Sequence, residues 1–397
     1  MSTSMLYHAY HIKDVQYKFT SYEKGNIIFH VKMKRGYFPC SDCKCSCYIF
    51  KGNKIRRFNI IPFGNKKCFL ELYFHRLQCC NCKKIFWPKL NFMKGKRRMT
   101  RSFIRYILDL LKIGTIKDVS TFLNLGWDVV KDIHKEKLNI LHKKISLKKL
   151  IYIGVDEFSI KKGHNYMTIF TDLKTGRIIH AIEGRKKEII EPFLKKLKKN
   201  AKELKAIAMD MSGPYYSAVK EFLPHVDVVF DHFHITALMN RAIDKVRREQ
   251  YVKNANAIKG SKYLLLSNYD NLDADKKTSL NKLLGINRPI SIAYYMKEQF
   301  RLFWHKKNTK EAARFLGTWI IDAIETDIIP LQRIARTLIK YSKGILNYFK
   351  HRISNAITEG INNKIKTLKR QAYGFRDMDY FKLRLYHLHQ QKYSLAG

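Results

Sequence analysis

The sequence predicts a multidomain chain in which two small N-terminal modules precede a larger α/β domain with a helical insertion. Three observations carry this. All eight cysteines fall between Cys40 and Cys82. Residues from about 100 to 145 show helical periodicity, interrupted by one short turn. From residue 147 onward, apolar runs of strand length come first as a group and then alternate with helices.

The first module, residues 1–95, is rich in β-type and basic residues. PCSDC (Cys40, Cys43) and LQCCNC (Cys79, Cys82) are two C-x-x-C knuckles. Four thiolates suit tetrahedral Zn²⁺, and a shell closed by four protein ligands marks a structural ion. Between the knuckles, two strand-like runs (55–61 and 68–75) would fold back and bring them together as a zinc ribbon. Cys45, Cys47 and Cys80 leave the register of the ligands open, and Cys68, among apolar neighbours, reads as a buried strand thiol. The thiols stay reduced in the cytoplasm, so clustering there favours metal over disulfides.

The basic stretch KGKRRMTR (Lys94 to Arg101) opens the second module, residues 96–146. Thr115 and Asp118 have the spacing of a capping box. Val119, Phe122 and Leu123 form an apolar face, Leu125-Gly126 makes a turn, and Trp127 opens a second helix with Val130 and Ile133 inward. This is helix-turn-helix spacing. A plain helical hairpin shares it, but the basic flanks favour DNA docking through an exposed face bearing Asp128, Lys131, Asp132 and Lys135.

The third module spans 147–397. IYIGVDEFSI, HNYMTIFTDL and GRIIHAIEG are three strand-length runs, the last two joined through Lys174-Thr175-Gly176. A helix over 187–199 follows, then a strand ending at Asp210, a helix over 215–222, a strand over 226–231 and a long helix to about Tyr251. Three meandering strands followed by helix, strand, helix, strand is the order of an RNase H-like domain. Residues of about 252–335 read as a helical insertion.

In that order Asp156 closes the first strand and Asp210 the fourth, and Glu359 lies downstream on a helix in NAITEGINNKIK. Strand ends are where sites gather in open α/β sheets. Two carboxylates there and one on a helix can hold Mg²⁺ (or Mn²⁺), hard ions that take oxygen ligands and keep several waters. Two such ions can clamp an in-line phosphoryl displacement. Most strand-end Asp residues only begin turns or cap helices, so the triad gains its weight from context. Asp231 and His234, just after a strand in VVFDHFHI, are auxiliary candidates, with Asp231 equally suited to capping the next helix. On the Glu359 helix, Asn355, Glu359, Asn363, Lys366 and Arg370 recur on one face, suiting a metal beside a phosphate backbone, although such a stripe is more commonly just a solvated polar face.

Charge names the partner class. The chain has 77 Lys and Arg against 33 Asp and Glu, a net +44. An excess of that size self-repels unless a polyanion is the working partner, and DNA or RNA is favoured over an anionic membrane. There is no apolar run long enough for a transmembrane helix and no N-terminal secretory pattern, so a cytoplasmic location is expected.

The chain resembles the ISL-three family of bacterial insertion-sequence transposases, which carry a DDE catalytic domain. The resemblance runs through the cysteine ribbon, the helix-turn-helix, IGVDEFSIKKGHNYMTIFTDLKTGRI, AMDMSGPYYSAVKEFLPHVDVVFDHFHI and SNAITEGINNKIKTLKRQAYGFRD. It implies an RNase H-like fold with an all-helical insertion, and Asp156, Asp210 and Glu359 as the catalytic triad. It also implies cleavage at the element's terminal inverted repeats and joining to target DNA. Its partners would be double-stranded transposon ends and target DNA, handled by a homo-oligomer associated with the bacterial nucleoid. A non-catalytic DNA-binding regulator derived from such an enzyme is the rival reading, but it has no need to keep all three acids.

Overall fold

The computed structural model describes residues 3–34, 36–95, 97–161 and 165–390. They form two compact units, Met1–Ile140 and Leu141–Gln390. None of the described helices is long and apolar enough to cross a membrane.

The first unit opens with α1 (Thr3–Tyr10) and then builds a sheet from β1 (Val15–Glu23), β2 (Asn26–Met33), β3 (Tyr48–Phe63), β4 (Lys66–Cys79) and the short β5 (Ile85–Phe86). The strand order is β1-β2-β4-β3, with β5 also pairing β4. The expected strands at 55–61 and 68–75 are the centres of the longer β3–β4 hairpin, whose open end pairs Tyr48 with Cys79. Long strands with alternating apolar residues bury one face: Phe58, Ile60, Leu70, Leu72 and Phe74 pack with Leu6, Phe29 and Phe92.

Three helices follow, α2 (Arg101–Leu110), α3 (Ile116–Leu123) and α4 (Trp127–Leu141). The expected modules 1–95 and 96–146 are stitched together here. Thr100 N–H donates to the Asn59 carbonyl, Arg101 N–H to that of Phe92, and Ser102 Oγ to that of Tyr10.

The second unit holds β6 (Tyr152–Lys161), β7 (Asn165–Asp172), β8 (Ile178–Glu183), α5 (Lys187–Asn200), β9 (Ala206–Met209), α6 (Gly213–Phe222), β10 (Asp227–Phe230) and α7 (His232–Lys253). These match the expected order; His164, expected to open the second strand, lies outside the described residues. The sheet runs β10-β9-β6-β7-β8. β6, β7 and β8 form an antiparallel meander, while β9 and β10 run parallel to β6.

The helical stretch that follows comprises α8 (Ala255–Ile258), α9 (Lys262–Leu266), α10 (Ala274–Ile286), α11 (Arg288–Arg301) and α12 (Thr309–Glu325). The chain returns through α13 (Ile329–His351) to α14 (Ala356–Gln371) and α15 (Met378–Tyr386). Asn347 Nδ2 donates to the Val228 carbonyl, and Lys350 and His351 both pair with Asp227, so α13 is tied to β10.

The sheet has an apolar core on each face. On one, Ile153, Val155 and Phe170 meet Phe193, Leu194 and Leu197 of α5 and residues of α6, α7 and α13. On the other, Phe158, Met167 and Ile169 meet Ile361, Ile365 and Leu368 of α14 and Phe381 and Leu385 of α15. Alternation along β6 therefore turns Gly154, Asp156 and Phe158 towards α14. Asp156 stands inside β6, not at its end as the sequence suggested. The apolar run stops at Val155, but pairing with β7 carries the strand on to Lys161. What ends near Asp156 is the parallel pairing with β9, whose last pair is Gly154 with Ala208.

Candidate active site and zinc site

The carboxyl ends of the three parallel segments gather Asp156, Asp210 (one residue past β9) and Asp231 (one past β10). A cleft of about 250 Å³ there is lined by Asp156, Glu157, Asp210, Tyr215, His234 and Arg241, among others. Both oxygens of Asp156 are held. Oδ1 accepts from Glu157 N–H at 2.7 Å, and Oδ2 from Asn362 Nδ2 at 2.5 Å. Burial pushes the Asp156 carboxyl up to about 6; the Glu157 N–H opposes this and the neighbouring Asp210 charge adds to it. A half-buried acid pressed by a second acid is a site that a cation would relieve. Asp210 meets His234 Nε2 at 2.9 Å, and that contact raises the His234 pKa.

Asp231 is buried, at 3% exposure, and both its oxygens accept backbone N–H groups. Oδ1 caps α7 at Phe233 (2.8 Å), and Oδ2 takes the N–H of Asn355 (2.7 Å). Of the two roles open to it from sequence, the geometry fulfils the cap.

α14 is clamped across β6 by its buried side. Asn355 Nδ2 donates to the Val155 carbonyl at 3.1 Å, and Thr358 packs over Gly154. Glu359 is exposed in the first turn of this helix, three residues before Asn362 and so on a neighbouring position of the helix surface. The structure brings Asp156 and Asp210 to one cleft and sets Glu359 on the helix that grips Asp156. Among the described residues, the four cysteines discussed below form the only set of three or more metal-ligating groups with atoms all within 4.8 Å. The three carboxylates are more widely spread, as ligands divided between two ions can be.

Sequence reasoning chose Asn363 for this face and missed Asn362. Asn355, Glu359 and Asn362 are spaced by four and three, a closer match to one helix face than the fours that led to Asn363. Asn363, Lys366 and Arg370 are exposed, with Lys366 Nζ 3.4 Å from Asn363 Oδ1. Glu157 and Tyr215, whose hydroxyl donates to Glu157 Oε2 at 3.2 Å, also line the cleft and carried no sequence signal.

In the first unit, Cys40, Cys43, Cys79 and Cys82 come together. Sulfur separations are 3.5 Å for Cys40–Cys82, 3.4 Å for Cys43–Cys79 and 3.5 Å for Cys43–Cys82. A tetrahedron with Zn–S bonds of about 2.3 Å has edges of roughly 3.8 Å, so the cage is near the size zinc needs. Backbone N–H groups of Asp42 and Cys43 hold the Cys40 thiol below its usual range, and those of Cys82 and Asn81 do so for Cys79. Cys47 and Cys80 are joined as a disulfide, Cα–Cα 5.4 Å, which takes both out of the competition for the metal. This pair departs from the expectation of metal alone. Cys68 is buried in β4, as expected.

The helix-turn-helix has its capping box, Thr115 with Asp118, and Asn124 in the left-handed conformation at the turn. Val119, Leu123, Val130 and Ile133 are buried, but Phe122 is 70% exposed. Ile116, Val119 and Leu123 share one face, and Phe122 falls a third of a turn away. Asp128 and Asp132 are exposed; Lys131 and Lys135 are half-buried, with Lys131 Nζ 5.4 Å over the Trp127 ring. Part of the basic linker is committed to the fold, since Lys94 and Arg97 both pair with Glu136.

Residues 153–385 match the model of a transposase family, the ISL3 group with a DDE domain, and residues 88–136 match the helix-turn-helix domain of transposase family ISL3. The chain belongs to the ISL3 family of transposases. It is 30% identical over 354 residues to the transposase for insertion sequence element IS1001 of Bordetella parapertussis, covering 87% of each chain. It is 24% identical over 371 residues to the transposase for insertion sequence element IS1557 of Mycobacterium tuberculosis, covering 85% of this chain and 82% of that one. This is therefore an insertion-sequence DNA transposase with a DNA-binding helix-turn-helix, and a non-catalytic regulator is not favoured.

Proposed function

We propose that this transposase cuts DNA at the terminal inverted repeats of its element and transfers the freed strand to target DNA. Asp156, Asp210 and Glu359 would hold Mg²⁺ (or Mn²⁺), on an RNase H-like domain spanning about 147–397. One observation carries the reading: Asp156 and Asp210 line a single cleft where β6 stops pairing with β9, and α14, bearing Glu359, is bonded to Asp156 through Asn362. The sheet order β10-β9-β6-β7-β8 supports the fold. The donor set fits the ion, being carboxylate oxygen throughout, with an Asp156 proton affinity that falls once a cation is present.

When bound, divalent ions stabilise both the attacking and leaving oxygens of an in-line displacement. The protein's own part is positional. Asn362 and the Glu157 N–H fix the Asp156 carboxylate, His234 orients Asp210, and Arg241 places a positive charge in the cleft. Cleavage by water and joining by a 3′-hydroxyl are the same reaction with different nucleophiles, so one centre serves both.

DNA recognition is assigned to the N-terminal unit through Lys131 and Lys135, with Asn363, Lys366 and Arg370 near the cut. Zn²⁺ on Cys40, Cys43, Cys79 and Cys82 would be structural. Joining two ends calls for at least two copies in the DNA complex, acting where the bacterial DNA is, in the nucleoid of the cytoplasm. The test is cleavage and strand transfer on labelled DNA from the element's ends, with Mg²⁺, Mn²⁺ or EDTA. Glu359→Gln, Asp156→Asn and Asp210→Asn are expected to lose both reactions while still binding the ends. A Glu359→Gln protein that cuts like wild type would remove Glu359 from the triad.

A further inference from the structure

α7 starts at the carboxylate cleft and runs away from it, and one of its faces is not explained by packing. Its inner face, with Ile235, Met239, Ile243 and Val246, is buried. On the outer side, His234, Leu238 and Arg241 line the cleft. Arg241 then also lines a second groove of about 800 Å³, together with Lys245 and Arg248 of α7 and Lys262 of α9. Positions 234, 238, 241, 245 and 248 step by four, three, four and three, which is one continuous helical stripe.

Two acids share the groove, Asp244 and Glu249. Asp244 is 8% exposed, and its carboxylate is occupied by Arg247 (2.8 Å) and Arg248 (2.5 Å). It offsets part of their charge and orients Arg248, whose side chain remains 71% exposed; Arg241, Lys245 and Lys262 keep the groove net positive. Basic faces on a chain of net +44 are commonly only solvated. This one differs in being continuous, through Arg241, with the cleft that holds the two aspartates.

We propose that the stripe is the track for the DNA backbone flanking the scissile bond. Arg241, Lys245 and Arg248, with Lys262 across the groove, bind successive phosphates leading away from Asp156 and Asp210. The proposal rests on the cleft being the site of cutting. A helix advances 1.5 Å per residue, which puts Lys245 about 16 Å along α7 from His234; with about 3.4 Å per nucleotide along a duplex, Lys245 meets the backbone within roughly six nucleotides of the cut.

The experiment uses the full chain and a duplex carrying the element's end, with binding measured against salt in EDTA. A Lys245→Gln/Arg248→Gln variant is expected to show a log–log slope shallower by about 1.8, at about 0.9 for each phosphate no longer neutralised. Lys245→Arg keeps the wild-type slope. Lys245→Cys carrying a photo-crosslinker attaches to DNA within roughly six nucleotides of the cut. A wild-type slope in the double variant overturns the proposal, as do cross-links found only farther away. Lys245 and Arg248 are exposed, and because Arg248→Gln leaves buried Asp244 with Arg247 alone, a wild-type melting temperature in the double variant is the control for folding. The slope is read without any cleavage. If Asp156→Asn still cuts, the catalytic reading fails, while the slope continues to report on the track.

Discussion

Asn362 shows how much turns on one amide. Its Nδ2 fixes one oxygen of Asp156 while the strand's own backbone fixes the other, which on the proposed reading orients a metal ligand. Groups that orient a metal ligand commonly govern affinity by about 10–100-fold. Asn362→Ala is expected to lower cutting by about that factor at limiting Mg²⁺, with recovery at high Mg²⁺ and unchanged end binding, whereas Asn363→Ala is expected to weaken DNA binding and leave the Mg²⁺ requirement unchanged. Equal losses from the two would show that the amide acts on DNA instead. That Asp156 and Asp210 would lie close together was legible because each follows an apolar run of strand length. The amide was not, because Asn362 and Asn363 are adjacent and only the seating of α14 on β6 separates them. Phe122 failed for a similar reason, since apolar character does not reveal which face of a two-turn helix is covered. A second residue gives a pH signature. His180 stacks on Phe193 at 4.1 Å, and burial pushes its pKa down to about 4, with Lys196 and Lys382 adding to the shift. The folded value lies below the unfolded one of 6.5, so the neutral ring stabilises the fold above pH 6.5 and this is lost as pH falls towards 4. The melting temperature of the second unit is expected to drop across that window, and His180→Phe to flatten the drop. An unchanged pH profile in that variant would remove His180 from the account.

At the scale of elements, the site depends on how closely α14 lies on β6. Gly154 allows it, since a Cβ there would collide with Thr358 Oγ1 and stand 2.7 Å from Asn355 Oδ1. Gly154→Ala should destabilise the second unit by about 1–3 kcal/mol, the usual range for overpacking, and reduce cutting as Asn362 is moved off Asp156. Denaturant unfolding and the cleavage assay together check this, and wild-type stability would mean that α14 has room to shift. The order of strands and helices was readable from periodicity and turn residues alone. The extent of β6 was not. Its first half pairs with β9 and its second half depends on β7, and polar residues from Asp156 onward hide the continuation.

For the whole molecule, the cysteine spacing identified the cage, because the β3–β4 hairpin returns the chain on itself and its ends must meet. The disulfide beside the cage was not legible, since seven cysteines lay within reach of one another in sequence and only the register Tyr48 to Cys79 sorts them. If zinc closes the cage, calorimetry of the full chain should resolve two transitions. A strong chelator, or Cys40→Ser, should lower the one belonging to Met1–Ile140 and leave that of Leu141–Gln390 in place. A chelator that shifts neither transition would rule out a structural ion.

The two oxygens of Asp231 have a wider consequence. One begins α7 and the other begins the approach to α14, 124 positions later. Seen from the sheet, the chain departs and returns at a single carboxylate, and α13 secures the return by its bonds to β10. Helices α8 to α12 thereby hang between two fixed points, and their buried Leu280, Tyr294 and Trp319 join the core of α7 and α13. Changes on their surface, Lys262 included, would alter how firmly a DNA backbone is held while Asp156, Asp210 and Asp231 keep their places. A chain built this way can retune its hold on DNA at the insertion's surface without moving the carboxylates.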